Sequence, residues 1–348
     1  MAGTSSGATG VELHKAELTA RARAGLRSAG HADTIIRIDP LPGGLSSLTY
    51  VAQLAAPGTS STARALGHVV LKVAPAGLAP VRNRDVLRQA RVLRVLHDAP
   101  GVRVPEVVFE DPGDPPDVPP LFGMTYVDGV ADEPLDEGSE LPGPVADARS
   151  RAAARMLGAL HGVDPHAVGL EGEAAIGLDQ EVARWIAMFE TVDDDLRHGA
   201  QACGERLLAS IPAPTAPASC HGDFRLGNLL CSEGDVRAII DWEIWSLGDR
   251  RADLAWFLHN SDANKPSAVR ADPGLPPPAA LLEEYEAVAA AVGDMQWFLA
   301  LVRFKQAAAM AMIVKHGRRG SPADPKKMKL AEYIDPLLNA VSGSLPGE

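Results

Sequence analysis

The spacing of apolar residues changes along the chain, and the change divides it. Three short apolar-rich runs, Thr34–Asp39, Ser46–Leu54 and His68–Ala74, read as strands. The first two are separated by Pro40-Leu41-Pro42-Gly43-Gly44, a turn signal, and the next two by a polar loop at 57–67. This is a small antiparallel meander. A helix follows from about Asn83 to His97, with Val86, Leu87, Ala90, Leu93 and Leu96 at helical spacing. Glu106–Glu110 and Leu121–Val127 are further strand candidates. They flank Asp111–Pro120, whose five prolines exclude regular structure. Beyond residue 128 long helical patterns take over, at Asp147–His161, Asp179–Phe189, Ala200–Ile211, Pro278–Val292 and Gly293–Lys315. Between them, Cys220–Leu258 reads as short strands and tight loops. The pattern predicts an α+β protein in three parts: a disordered tail over 1–10, a mostly β N-terminal lobe over 11–127 that carries a weak helical pattern at 11–27, and a mostly helical C-terminal lobe over 128–348.

Composition narrows the function classes. The chain has 348 residues, 46% of them hydrophobic, and a net charge of −12. An acidic surface argues against a general nucleic-acid partner, because nothing neutralises a phosphate backbone at large. The three cysteines, Cys203, Cys220 and Cys231, lack zinc-site spacing, and reduced cytoplasmic thiols are the expected state. The N-terminus has neither the basic segment nor the apolar core of a signal peptide. No membrane span is expected either, since Arg303, Lys305 and Gln306 break the apolar stretch at 297–314. Oligomeric state leaves no trace in the sequence.

The densest chemical signal is His221-Gly222-Asp223-Phe224-Arg225-Leu226-Gly227-Asn228. It has the H-x-D-x-x-x-x-N spacing of a kinase catalytic loop. Phosphoryl transfer to a hydroxyl needs a carboxylate to orient the attacking oxygen and take its proton, and an oxygen ligand for a metal close by. Asp223 and Asn228 are those candidates. Downstream, Ile239-Ile240-Asp241 is an apolar run ending in a carboxylate, as a buried strand delivering a magnesium ligand would be.

With these residues in view, the chain resembles the aminoglycoside phosphotransferase-like family of small-molecule kinases. It is most similar to the branch of kinase-like domains attached to acyl-CoA dehydrogenases. The resemblance is strongest over His221–Leu230 and Ile239–Phe257, and looser over 30–315. It implies a bilobal protein-kinase-like fold, with a small antiparallel β lobe holding one key helix and a larger helical lobe. It also implies transfer of the γ-phosphate of ATP or GTP, with Mg2+, to an alcohol of a small substrate. In this family His221 corresponds to a loop-bracing residue and Asp253 to a buried aspartate that holds the catalytic-loop backbone.

The β lobe then supplies the nucleotide clamp. Lys72 interrupts the apolar strand His68–Ala74 and fits a lysine reaching phosphates, as in the V-A-I-K pattern. Gly44, Ser46 and Ser47 are candidates for a phosphate loop. Met124, Thr125, Tyr126 and Val127 form the candidate hinge for the base, which would be read mainly through backbone groups. One departure stands out. Related kinases pair the strand lysine with a helix glutamate, and here Gln89 takes that place, with Asp85 on the same predicted helix as a substitute. That departure motivates the alternative of a nucleotide-binding pseudokinase or interaction module. Trp242, Trp245 and Trp256 read as core residues. For the acceptor, Asp249 and Glu243 are candidates, together with the acidic run Asp193-Asp194-Asp195 and the last helix with Arg303, Lys305 and Gln306.

Overall fold

Strand β3 (His68–Val73) is apolar at nearly every position because it has a neighbour on each side. The computed structural model describes residues 6–31, 34–41, 47–55, 66–136, 138–266, 268, 274–319 and 324–345. In it, β1 (Thr34–Pro40), β2 (Leu48–Ala55), β3, β4 (Val107–Asp111) and β5 (Leu121–Thr125) form one antiparallel sheet in the order β1-β2-β3-β5-β4. The two-residue period of a strand places Val69, Leu71 and Val73 on one face and Val70 and Lys72 on the other. The first face is closed by α1 (Ser6–Ser28), whose Leu18, Ala22 and Leu26 recur at helical spacing in the same apolar cluster. This helix begins at Ser6, inside the segment expected to be a disordered tail.

The helix expected from Asn83 starts later. Asp85 is its N-cap and accepts a hydrogen bond from the Arg88 N–H, so α2 runs Val86–His97. The chain divides into two compact units. One is Met1–Gly129 with Arg237–Ile244, the other Val130–Val236 with Trp245–Glu348. The short stretch carrying Asp241 therefore groups with the sheet unit.

The second unit contains α3 (Gly143–His161), α4 (Leu178–Phe189), α5 (Ala200–Ala209), β6 (Ala218–Cys220) and β7 (Leu229–Ser232). Strand β8 (Asp235–Ile239) pairs with β7 and crosses the unit boundary, and β9 (Ser246–Gly248) pairs with β6. There follow α6 (Arg250–Asn260), α7 (Pro278–Glu286), α8 (Met295–Arg319), α9 (Pro325–Lys329) and α10 (Ile334–Ser344). Helix α6 lies in the stretch that pattern reading gave to strands and loops. Eight of its residues are buried, polar Arg251, Asp253, His259 and Asn260 among them, so no amphipathic stripe marks it. Among the described residues α8 alone has the length and hydropathy of a membrane span, yet 67% of that window is buried, and it packs with α4, α5 and α10 as a core helix. Cys203, Cys220 and Cys231 are free and buried.

Two consequences are measurable. Phe109 sits where a Cβ on Gly123 would meet its ring at 2.3 Å and one on Gly25 at 2.1 Å. Phe109→Ala is expected to cost about 3–5 kcal/mol and Gly123→Ala about 1–3 kcal/mol by overpacking. The double variant should lose less than the sum, because the new methyl enters the vacated space; urea denaturation midpoints test this. In the helical unit, burial pushes the His259 imidazole down to about 4, although Gln306, at 2.6 Å, favours the charged form. The unfolded chain therefore takes up a proton that the folded one refuses between about pH 6.5 and 4. Stability should fall by roughly 3 kcal/mol as pH drops through that window, and His259→Gln should flatten the loss in pH-dependent unfolding curves.

Candidate functional site

The helical unit builds its part of the site around one buried carboxylate. Asp253, in the first turn of α6, accepts hydrogen bonds from two successive backbone N–H groups, His221 at 2.7 Å and Gly222 at 2.9 Å. Its Oδ2 also lies 3.3 Å from His161 Nε2, and His161 Nδ1 lies 3.0 Å from the Tyr285 hydroxyl. Every group is satisfied when Tyr285 donates to Nδ1 and Nε2–H donates to Asp253. Burial works to raise the Asp253 pKa, but the His161 hydrogen bond, the imidazoles and the backbone donors outweigh it and hold the carboxyl below its usual range. His161, Cys220 and Asp253 place ligand-type atoms within 4.8 Å of one another. Both ring nitrogens and both carboxylate oxygens are already hydrogen-bonded, so the group acts as a brace. Gly222 follows with φ of 86°, a conformation that favours glycine at this bend.

Asp223 comes next, and both its oxygens are held. Oδ1 accepts from the Trp256 indole N–H at 2.8 Å. Oδ2 accepts from Asn228 Nδ2 at 2.9 Å and from Arg225 Nε at 3.4 Å. The Asp223 N–H donates to His221 Nδ1 at 3.3 Å, so His221 supports the loop from within. Asn228 Nδ2 also reaches the Asp223 carbonyl at 2.9 Å. With its amide nitrogen committed twice, Asn228 keeps its side-chain oxygen as a hard acceptor. Arg225 is tied in turn to Glu133 at 3.1 Å, and Glu133 also accepts from the Gly227 N–H. Burial raises the Glu133 pKa more than Arg225 lowers it. Lys305 from α8 donates to the Gly222 carbonyl at 2.8 Å, and its ammonium stands 4.3 Å from the Trp256 ring centroid.

In the sheet unit, Lys72 is opposite Thr49 on β2 and Phe122 on β5. Its ammonium is buried and lies 3.3 Å from both Asp241 Oδ1 and Ser47 Oγ. Neither expected helix partner makes this contact. Asp85 is occupied as the cap of α2, and Gln89 Nε2 donates to the Asn83 carbonyl at 3.3 Å. Asp241 sits at φ 66°, an unusual conformation for a non-glycine residue, beyond the buried Ala238 and Ile239 and before the buried Trp242. The Ile239 N–H donates to the Arg103 carbonyl, which fixes this segment. Asp241 is one-third exposed, as a carboxylate available to a further cation would be. Met124 ends buried on β5, Thr125 closes the ladder through Glu106, and Tyr126 and Val127 lie beyond it. Gly44 and Ser46 lie outside the described residues.

Other sequence candidates fall elsewhere. Asp249 is buried as the cap of α6, with both oxygens on Arg251, at 2.9 and 2.7 Å, and another bond from the Thr215 N–H. It has no face to offer a substrate. Glu243 is partly exposed on the Asp241 segment. Asp193 and Asp195 are bridged by Arg318, and Asp194 pairs with Arg197. Trp242 and Trp245 are core residues as expected, whereas Trp256 touches the central carboxylate. A signal for Trp256 was present: it follows Asp253 by one helical turn, so it shares the loop-facing side of α6. Glu133 had none, because it lies in an irregular Asp/Pro-containing segment.

Known proteins resemble this chain in sequence and in fold. The family model of the phosphotransferase enzyme family matches residues 37–311. Acyl-CoA dehydrogenase family member 10 of Mus musculus is 27% identical over 196 residues, which are 54% of this chain and 18% of that protein. The chain thus spans a small part of the relative's length. A Ralstonia eutropha JMP134 protein, provisionally named an aminoglycoside phosphotransferase, superposes with a TM-score of 0.73 at 20% identity, over 92% of this chain and 95% of its own. The GDP complex of aminoglycoside 2'-phosphotransferase-IIIa gives a TM-score of 0.61 at 14% identity, over 94% and 98%. At those identities the solved structures speak for the fold, which is kinase-like α+β. The family match spans most of the chain, the catalytic-type loop and the Lys72 strand included, and on it the chain belongs to the phosphotransferase enzyme family.

Proposed function

We propose that this chain is a small-molecule kinase that transfers the γ-phosphate of ATP or GTP to an alcohol. The observation that carries the reading is the constraint on Asp223. Its carboxylate is fixed by Trp256, Asn228 and Arg225 on a loop that Asp253 grips by its backbone. A general base must be held at hydrogen-bond distance from the hydroxyl it serves, and this one is held before any substrate arrives. Asp223 orients the acceptor hydroxyl and takes its proton as the new O–P bond forms and the bond from the γ-phosphorus to the bridging oxygen breaks, releasing the nucleoside diphosphate.

Asn228 and Asp241 each have the chemistry of a Mg2+ ligand: the one an amide oxygen whose nitrogen is committed to two hydrogen bonds, the other a partly exposed carboxylate. Such an ion would neutralise charge on the phosphate oxygens. Lys72 supplies a fixed ammonium for the phosphates, and Tyr126 and Val127 supply backbone groups for the base. The GDP complex of the 2'-phosphotransferase supports a nucleotide in this family. The pseudokinase alternative rested on Gln89. It weakens because Lys72 is positioned by Ser47 and Asp241 instead.

The test is phosphate transfer from labelled ATP and GTP to a panel of alcohols in the presence of Mg2+. Asp223→Asn is expected to lower transfer by about 10²–10⁴ while nucleotide affinity holds. Nucleotide binding without transfer to any acceptor or to water would overturn the enzyme reading. Trp256→Phe removes one hydrogen bond to a charged group and should slow transfer by roughly tenfold or more, with little change in nucleotide affinity. Isothermal titration with a non-hydrolysable nucleotide separates the two quantities.

A further inference from the structure

Lys305 carries a cation with no ion-pair partner among the described residues. Its Nζ donates to the Gly222 carbonyl at 2.8 Å and stands 4.3 Å from the Trp256 ring centroid and 5.7 Å from that of Trp185. Among the described residues no carboxylate forms an ion pair with it. Glu181, Asp223 and Asp253 attract it only from longer range, and burial, the largest influence, pulls the ammonium pKa below its usual value. A desolvated ammonium without a counter-ion is costly, and a carbonyl dipole and two aromatic faces recover only part of that cost. The side chain is nevertheless partly exposed, so a ligand can reach it.

The two tryptophans are anchored in the same manner. Trp256 donates its indole N–H to Asp223 at 2.8 Å, and Trp185 donates to Glu181 at 2.8 Å. These edge contacts fix both rings beside the lysine, which is therefore held in place beside the residue that precedes the base. The carboxylates a polycationic acceptor would need are committed elsewhere. Glu181 is shared by Arg184 and Trp185, Asp193 and Asp195 are on Arg318, Asp194 is on Arg197, and Asp249 is on Arg251. Beside the Asp223 loop, Lys305 is a cation that pairs with none of these acids.

We propose that Lys305 determines acceptor specificity: its ammonium binds an anionic group, a carboxylate or a phosphate ester, on the same molecule whose hydroxyl meets Asp223. The acceptor is then an anionic alcohol and not an amine-rich one. This rests on the phosphotransferase reading for the role of Asp223, but the binding preference is measured without turnover.

The full chain, with Mg2+ and a saturating non-hydrolysable nucleotide, is titrated with glycerate, glycerol 3-phosphate, glycerol, choline and kanamycin. Tryptophan emission reports occupancy because Lys305 lies against two indoles. One or both anionic alcohols should bind about tenfold or more tightly than glycerol, as a charge-assisted hydrogen bond provides. The stronger of the two identifies carboxylate or phosphate. Lys305→Met should remove that preference and Lys305→Arg should keep most of it. Tighter binding of choline or kanamycin, no binding of either anion, or undiminished anion binding in Lys305→Met overturns the proposal. An equal loss in Lys305→Arg and Lys305→Met overturns it too, because loop position and not charge would then be the cause. Where an acceptor turns over, an equal fall in transfer to that acceptor and to water would move Lys305 to the phosphoryl group and likewise overturn it. Anion selectivity without any phosphate transfer would instead sink the phosphotransferase reading and leave the binding assignment standing.

Discussion

The helical unit depends on the hydrogen bonds from two consecutive backbone N–H groups to Asp253. A loop that bends at Gly222 and presents Asp223 has two successive backbone N–H groups, those of His221 and Gly222, that are satisfied from outside it. Asp253 accepts from both, on a neighbouring helix. Because the carboxylate is buried, these bonds are strong, and losing one partner would leave a charge stranded at a cost of about 3–5 kcal/mol. His161 and Tyr285 satisfy the remaining side of that charge. The helix that delivers Asp253 is itself set by Asp249, which caps it and is locked by Arg251. One turn later it delivers Trp256 to Asp223. A single helix thus shapes the loop and fixes the carboxylate the loop presents, so the spacing from Asp249 to Trp256 is constrained as a whole.

The sheet unit solves a different problem, placing a cation inside an apolar strand. Strand alternation does it. Val69, Leu71 and Val73 go to the α1 side, and Lys72 goes to the opposite face, where Ser47 and Asp241 meet it. Pairing in such a low-dielectric setting stabilises the ammonium against the cost of burial. The kinase-type helix glutamate is not needed for that purpose, which is how Gln89 is accommodated. Asp241 arrives from a distant part of the sequence, and its left-handed backbone is held by the buried residues on either side.

Much of this was legible in the sequence because it depends on spacing. The interval from Asp223 to Asn228 is short enough for one amide to bond both the carboxylate and the backbone carbonyl of Asp223, and spacing survives when propensity misleads. The strands were legible from alternation and turn residues. Helix α6 was not, because a helix buried on every side has no polar stripe, and its Asp and Arg residues read as loop. The partner of Lys72 was missed for a related reason. Pattern reading looks for it on the next helix, while the contact is made by a residue 169 positions away. Trp256 reads as a core residue in the sequence, since the polar N–H on an apolar ring leaves no mark in a hydropathy pattern.

Charge accounts for what remains. The chain is strongly acidic, but its acids around the central loop are nearly all committed to arginines or to backbone N–H groups. Net charge is therefore a poor guide to what this region attracts. The local balance is set by which charges lack close partners, and among the described residues Lys305 has no ion-pair carboxylate. Its neighbours are a carbonyl and two indole rings, which orient an ammonium but do not neutralise it. On the role proposed for Lys305, selectivity follows from its charge, because an amine brought beside it would meet like charge. On that proposal an acidic protein keeps a site that favours anions.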